Sequence, residues 1–179
     1  MSGTIPTRTF GSVPTPLGPV LVIIEGGAVA GLHFDGDART PRVPEHSRRD
    51  EQLSSSVADQ LEEYFRGIRT RFELPLRVHG TPFQRAVWSA LLDIPYGQTS
   101  TYGRIAAVLG RARAARAVGA ANGQNPVSIV IPCHRLIGTD GGLTGYGGGI
   151  DRKRRLLELE AVARPGADRG GASGVGSGA

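Results

Sequence analysis

Residues 80–122 read GTPFQRAVWSALLDIPYGQTSTYGRIAAVLGRARAARAVGAAN, and this stretch decides the fold. Thr81-Pro82-Phe83-Gln84 predicts a helix start: Thr81 caps, Pro82 suits the first helical position and Gln84 completes a capping box. Phe83, Val87, Leu91 and Ile94 then form one apolar stripe, with Trp88 and Leu92 beside it, until Pro95-Tyr96-Gly97 stops the helix. Ser100 to Leu109 predicts a second helix with Ile105, Val108 and Leu109 buried. Gly110-Arg111-Ala112 predicts a short turn, and Arg113 to Asn122 a third, Ala-rich helix. Helix, glycine-containing turn and helix is the pattern of a DNA-reading pair, and equally of any antiparallel helix pair. The last helix has few side chains able to read base edges in a major groove. It is small, and one long cation, Arg116, projects from it. Such a helix suits a minor groove, where it could push one residue into the base stack; a tightly packed core helix is the alternative.

Downstream, Val127 to Ile131 predicts a brief apolar strand running directly into Pro132-Cys133-His134-Arg135. Gly141 to Gly149 is glycine-rich and reads as a flexible pocket wall. Asp151 to Val162 predicts a last helix, and beyond Arg164 the Gly/Ala/Ser composition predicts a disordered tail. Upstream, Leu17 to Ile24 and Ala28 to Phe34 flank Glu25-Gly26-Gly27 and predict a β-hairpin. Residues 35–50 read as a surface loop. Leu53, Val57, Leu61 and Tyr64/Phe65 predict an amphipathic helix ending near Gly67, and Thr70 to Leu76 another short strand. The expected fold is α+β: a small β-sheet and helix domain over 1–79, a mostly helical domain over 80–163, and a tail over 164–179. The first domain shows no motif with chemistry in it and reads as a structural module.

Composition narrows the class. The chain has 179 residues, 39% hydrophobic and 21% charged, an ordinary globular balance. No apolar run reaches the ~18 residues a membrane helix needs, and the N-terminus lacks the charged start and apolar core of a secretory signal. One cysteine, Cys133, excludes an internal disulfide and a multi-cysteine zinc cluster, and a free thiol suits a reducing cytosol. The other histidines, His33, His46 and His79, are scattered, so no metal is expected. The charge is uneven: residues 1–79 carry 9 basic and 10 acidic groups, whereas 80–162 carry 10 basic and 5 acidic, nearly all of the former Arg. The basic half is the one suited to a polyanion.

Two features suggest reactivity. A thiol is a weak nucleophile until a nearby base or cation activates it. His134 is adjacent, yet neighbours in an extended segment point to opposite faces, so it would reach the sulfur through a water or a local bend. Glu160 falls where the 156, 159, 160, 163 pattern expects an apolar residue. A buried acid needs a partner, and His134 is the natural one; a frayed helix end with Glu160 in water is the alternative.

Ile131-Pro132-Cys133-His134-Arg135-Leu136-Ile137-Gly138 resembles the active-site signature of the methylated-DNA–protein-cysteine methyltransferases, the O6-alkylguanine-DNA alkyltransferases. The resemblance runs from about Gly80 to Val162 through 83–88, 94–97, 101–103, 114–119, 125–127 and 144–149, and residues 1–79 are similar to the family's variable ribonuclease-like domain. It implies repair of O6-alkylguanine, and less well O4-alkylthymine, in double-stranded DNA by irreversible single-turnover transfer to Cys133 without a cofactor. It further implies that His134 deprotonates Cys133 through a water, that Glu160 orients His134, and that Asn125 holds the turn. Tyr102 would donate to the departing guanine. Arg116 would fill the space of the flipped base, with Ala115 and Tyr102 also on the DNA face. Tyr146, the amide of Gly147 and the backbone of Leu136 and Cys133 would line the base pocket. The implied protein is a cytoplasmic monomer bound in the minor groove with weak sequence preference, cooperativity on DNA being left open. Two rivals make different predictions: a helix-turn-helix protein without chemistry leaves Cys133 unmodified, and a cysteine hydrolase turns over repeatedly.

Overall fold

A computed structural model describes residues 8–37, 39–42, 48–49 and 51–162. Four strands form one sheet in the order β3-β2-β1-β4: β1 (Arg8–Val13), β2 (Val20–Glu25), β3 (Ala28–Phe34) and the two-residue β4 (Arg48–Arg49). β1–β2 and β2–β3 are antiparallel, while β4 runs parallel to β1. The β2–β3 hairpin turns on Gly26 and Gly27, both at positive φ (57° and 77°), a two-residue turn that side-chain-bearing residues rarely make. Helix α1 (Glu51–Phe65) lies against β1. It buries Val57, Leu61 and Tyr64, as its three-to-four-residue spacing requires.

An extended segment then leads to α2 (Pro82–Leu92), whose Thr81/Gln84 capping box forms as its sequence predicts. A two-residue strand β5 (Ser100–Thr101) precedes α3 (Tyr102–Val108), and α4 (Ala115–Gly123) completes the helix pair. A one-turn 3-10 helix at Cys133–Arg135, strand β6 (Leu136–Ile137) parallel to β5, and α5 (Ile150–Val162) follow. None of the described helices is long and apolar enough to cross a membrane.

Several local expectations are corrected. Thr70 to Leu76 is not a strand. It meets β3 at a single bridge, Val29–Leu76, because Gln60 from α1 takes both backbone groups of Glu73. Ser100 and Thr101 pair with β6 instead of starting α3, and Thr101 caps α3 with its side chain. The connection between α3 and α4 is longer than a three-residue turn. Arg48–Arg49, expected in a loop, extends the sheet. The expected tail over 164–179 lies outside the described residues.

The most informative correction is at Val127–Ile131. It is wholly apolar because it is buried, not because it is a strand. It touches β3 through one bridge, Leu32–Val127. It then folds through a three-residue turn centred on Ile129 (φ 71°), closed by Val130 N to Ser128 O at 2.9 Å. A second such turn, at Pro132, is closed by Cys133 N to Ile131 O at 2.8 Å. The Asn125 side chain takes the place of a neighbouring strand, accepting from Val127 N and donating to Ile131 O. A β-branched residue at positive φ is strained, and such strain persists where surrounding contacts over-determine it.

Candidate active site

The bend at Pro132 puts Cys133 and His134 on a tight turn instead of opposite faces of a strand. Cys133 is buried, and its Sγ accepts from Asn125 Nδ2 at 3.0 Å. Burial pushes the thiol above its ordinary pKa; the Asn125 amide and the charges of Arg39 and Lys153 oppose that without overcoming it. The reactive anion therefore needs a base.

His134 is fully buried and its Nε2 lies 2.8 Å from Glu160 Oε1. Glu160 is 1% exposed yet accepts four further hydrogen bonds. Arg135 grips it through Nε to Oε2 and Nη2 to Oε1, both at 2.9 Å. The Tyr64 hydroxyl donates at 2.7 Å and the Gly97 amide at 3.1 Å. Burial alone would raise the carboxyl pKa, but His134 and Arg135 hold it at about 2. Burial lowers the imidazole pKa against the pull of Glu160. The two directions agree on one state: an ionised carboxylate neutralised by Arg135, beside a neutral imidazole. An ionised carboxylate only accepts, so Nε2 carries the proton and Nδ1 keeps its lone pair. Nδ1 has no protein partner.

Around the thiol, Tyr146 is buried with its ring edge-on to His134 at 6.5 Å between centroids. Tyr102, at the start of α3, donates its hydroxyl to Thr144 O at 3.0 Å. The glycine run is packed at Tyr146 and Gly148, both buried, where a Cβ on Gly148 would meet the rings of Tyr146 and Phe34. Arg39, clamped by Asp37 at 3.0 and 2.6 Å, reaches over it to the carbonyl of Gly123. A Cβ on Gly147 would collide with the Arg39 guanidinium. Leu136 is buried, and its carbonyl accepts from the ammonium of Lys153.

The helix pair stands beside this cluster. Asn122 and Trp88 fix α4: Trp88 Nε1 donates to Ala121 O at 2.9 Å, and Asn122 reaches Cys133 O at 3.4 Å. Ala115 opens the helix and Arg116 is exposed, as are Arg104, Arg111 and Arg113. The structure thus joins Cys133, His134, Glu160 and Asn125 in one buried cluster. Tyr146 and Leu136 are buried close to that cluster, Tyr102 bonds to the glycine-rich loop at Thr144, Gly147 lies under Arg39, and Ala115 and Arg116 stand on the outer helix. Sequence reasoning missed Arg135 as the counter-ion, Tyr64, Arg39 and Lys153. Lys153 had a signal: it lies three residues before Leu156 and seven before Glu160, on the buried face of α5. The distant contributions of Arg39 and Tyr64 had none.

Comparison with known proteins matches both halves. Residues 82–162 match the model of the 6-O-methylguanine DNA methyltransferase DNA binding domain, and residues 9–78 that of its ribonuclease-like domain. A methylated-DNA--protein-cysteine methyltransferase of Mycobacterium tuberculosis is 47% identical over 156 residues, covering 87% of this chain and 94% of the relative. One from Methanosarcina barkeri is 45% identical over 148 residues, covering 83% and 94%. The crystal structure of Mycobacterium tuberculosis OGT in complex with DNA superimposes with a TM-score of 0.81 at 46% identity, covering 88% of this chain and 95% of that one.

Proposed function

The chain belongs to the 6-O-methylguanine DNA methyltransferase family and is a methylated-DNA–protein-cysteine methyltransferase acting in alkyl-transfer DNA repair; from that premise we propose how its own residues perform the transfer. His134 Nδ1 takes the Cys133 proton through a bridging water, and Glu160 stabilises the imidazolium that forms. The thiolate attacks the alkyl carbon on O6 of guanine. A carbon–sulfur bond forms, the carbon–O6 bond breaks, and its electron pair leaves with the guanine. Tyr102 exchanges its bond to Thr144 for one to the departing base, meeting the developing charge. The thioether is not hydrolysed, so each molecule acts once. O4-alkylthymine is the poorer substrate.

The target atom lies within a duplex, so the nucleotide must leave the stack to reach a buried thiol. Helix α4 enters the minor groove, its small residues allowing close approach, and Arg116 fills the vacated position. Exposed arginines on the helix pair meet phosphates, giving weak sequence preference and a binding constant that falls with salt. The protein acts as a monomer.

The observation that carries this reading is the buried Cys133 followed by a buried His134 whose Nε2 lies 2.8 Å from the buried Glu160 carboxylate. Intact mass after mixing with a duplex containing O6-methylguanine tests it. One added methyl per protein on the Cys133 peptide is expected, and none in Cys133→Ser, which should still bind DNA. Turnover, or a methyl elsewhere, refutes the mechanism.

A further inference from the structure

Lys153 is a fully buried ammonium in α5 that takes no part in the proton relay proposed above. Its Nζ donates to two carbonyls on different segments: Leu136, which follows the catalytic turn, and Thr144, at 2.8 Å, in the glycine-rich loop. The Thr144 carbonyl is shared, since Tyr102 also donates to it, at 3.0 Å. Burial lowers the pKa of Lys153, and that cost is offset only if both carbonyls stay in place.

We propose that Lys153 is a positioning residue that clips the 138–149 loop to the backbone behind Cys133, keeping the base pocket closed when Tyr102 lets go of Thr144. This rests on the transfer mechanism above, in which Tyr102 turns to the departing guanine. A carbonyl held by Tyr102 alone would lose its partner at that moment, and the pocket wall would be free to move as the bond breaks. With Lys153 in place the same carbonyl keeps a charge-assisted hydrogen bond throughout. The ammonium also holds the Leu136 carbonyl in a fixed direction at the pocket wall, and its charge favours the Cys133 thiolate.

Amide hydrogen exchange on the full chain tests this without relying on activity. In Tyr102→Phe the 138–149 amides should stay protected, because Lys153 still holds Thr144. In Lys153→Met, similar in length but without a donor, the same amides should exchange roughly tenfold faster or more, with α2 and α4 unchanged. Kinetics on free O6-benzylguanine should then show a half-saturating concentration raised about tenfold or more, with affinity for undamaged duplex little altered. Loss of loop protection in Tyr102→Phe overturns the proposal even if Lys153→Met does not fold. So does unchanged loop exchange in a folded Lys153→Met, or faster exchange spread over the whole protein. Failure of the transfer mechanism is read separately, as absence of the methyl on wild-type Cys133.

Discussion

At the scale of the residue, the proposed proton relay and the stability of the fold meet at Glu160. Its carboxylate is matched by donors from the catalytic turn, from Tyr64 and from Gly97. In Glu160→Gln an amide N–H would face either Arg135 or the His134 Nε2–H, donor against donor. The imidazole escapes by moving its proton to Nδ1, which removes the lone pair needed for Cys133. Single-turnover transfer should therefore fall by about 10²-fold or more, with DNA affinity nearly unchanged. The Cys133 ionisation followed by alkylation rate should move up in pH. An unchanged thiol titration in the folded variant would rule out the relay. The same residues set the acid limit. His134 and Glu160 both have folded pKa values below their ordinary 6.5 and 4.5. Each then favours folding above its ordinary value, because below it the unfolded chain takes up a proton that the native site refuses. Thermal stability should decline as pH falls below about 6.5 and again from 4.5 towards about 2. A melting temperature that rises on acidification from neutrality contradicts this assignment.

At the scale of the element, the role proposed for α4 can be tested apart from the chemistry. The helix has one long exposed side chain near its start, Arg116, on an otherwise small surface. If Arg116 stands in for the flipped nucleotide, it offsets an unstacking cost of a few kcal/mol. Arg116→Ala should then slow repair of O6-methylguanine in a duplex by about 10²-fold, while the free base O6-benzylguanine, with no stack to leave, reacts nearly normally. An equal loss on both substrates assigns Arg116 to the pocket or the fold. The helices themselves were legible in the sequence. The Thr81/Gln84 box and the apolar stripes at 57–64 and 87–91 are local signals, and local backbone chemistry obeys them. Val127–Ile131 was not legible in the same way. Burial alone made it apolar, and a short apolar run cannot tell a strand from a bend held by Asn125. Glu160 stood out because it broke an apolar phase. Lys153 sat on the same face but was concealed within Asp151-Arg152-Lys153-Arg154-Arg155, a run that otherwise reads as solvated.

At the scale of the whole molecule, the boundary drawn near residue 80 by composition and charge is not a boundary in the packing. The core is one cluster: Val29, Leu32 and Phe34 of the sheet belong with Val87, Leu91, Ile131 and Leu136. Polar ties cross between the halves as well. Tyr64 of α1 donates to Glu160, Arg39 covers Gly147, and Arg152 of α5 bonds to Leu17 O at 2.9 Å while lying 4.7 Å over the Phe34 ring. The free edge of β3 receives the polypeptide twice, at Leu76 and at Val127. The N-terminal half, which shows no chemical motif of its own, thus supplies a donor to the buried Glu160 carboxylate and covers Gly147 with Arg39. Two parts joined in this way cannot melt separately without exposing the shared core and stranding the buried charge of Glu160. Calorimetry should show a single transition, with near-ultraviolet and far-ultraviolet signals lost together. Tyr64→Phe removes one bond to a buried carboxylate, costing about 1.5–3 kcal/mol. It should lower that one transition by roughly 3–10 °C without splitting it. It should also slow transfer, although Tyr64 lies in the half that carries neither the thiol nor α4. Two resolved transitions, or a Tyr64→Phe protein with wild-type stability and rate, would mean that the N-terminal half is only appended to the site and not part of it.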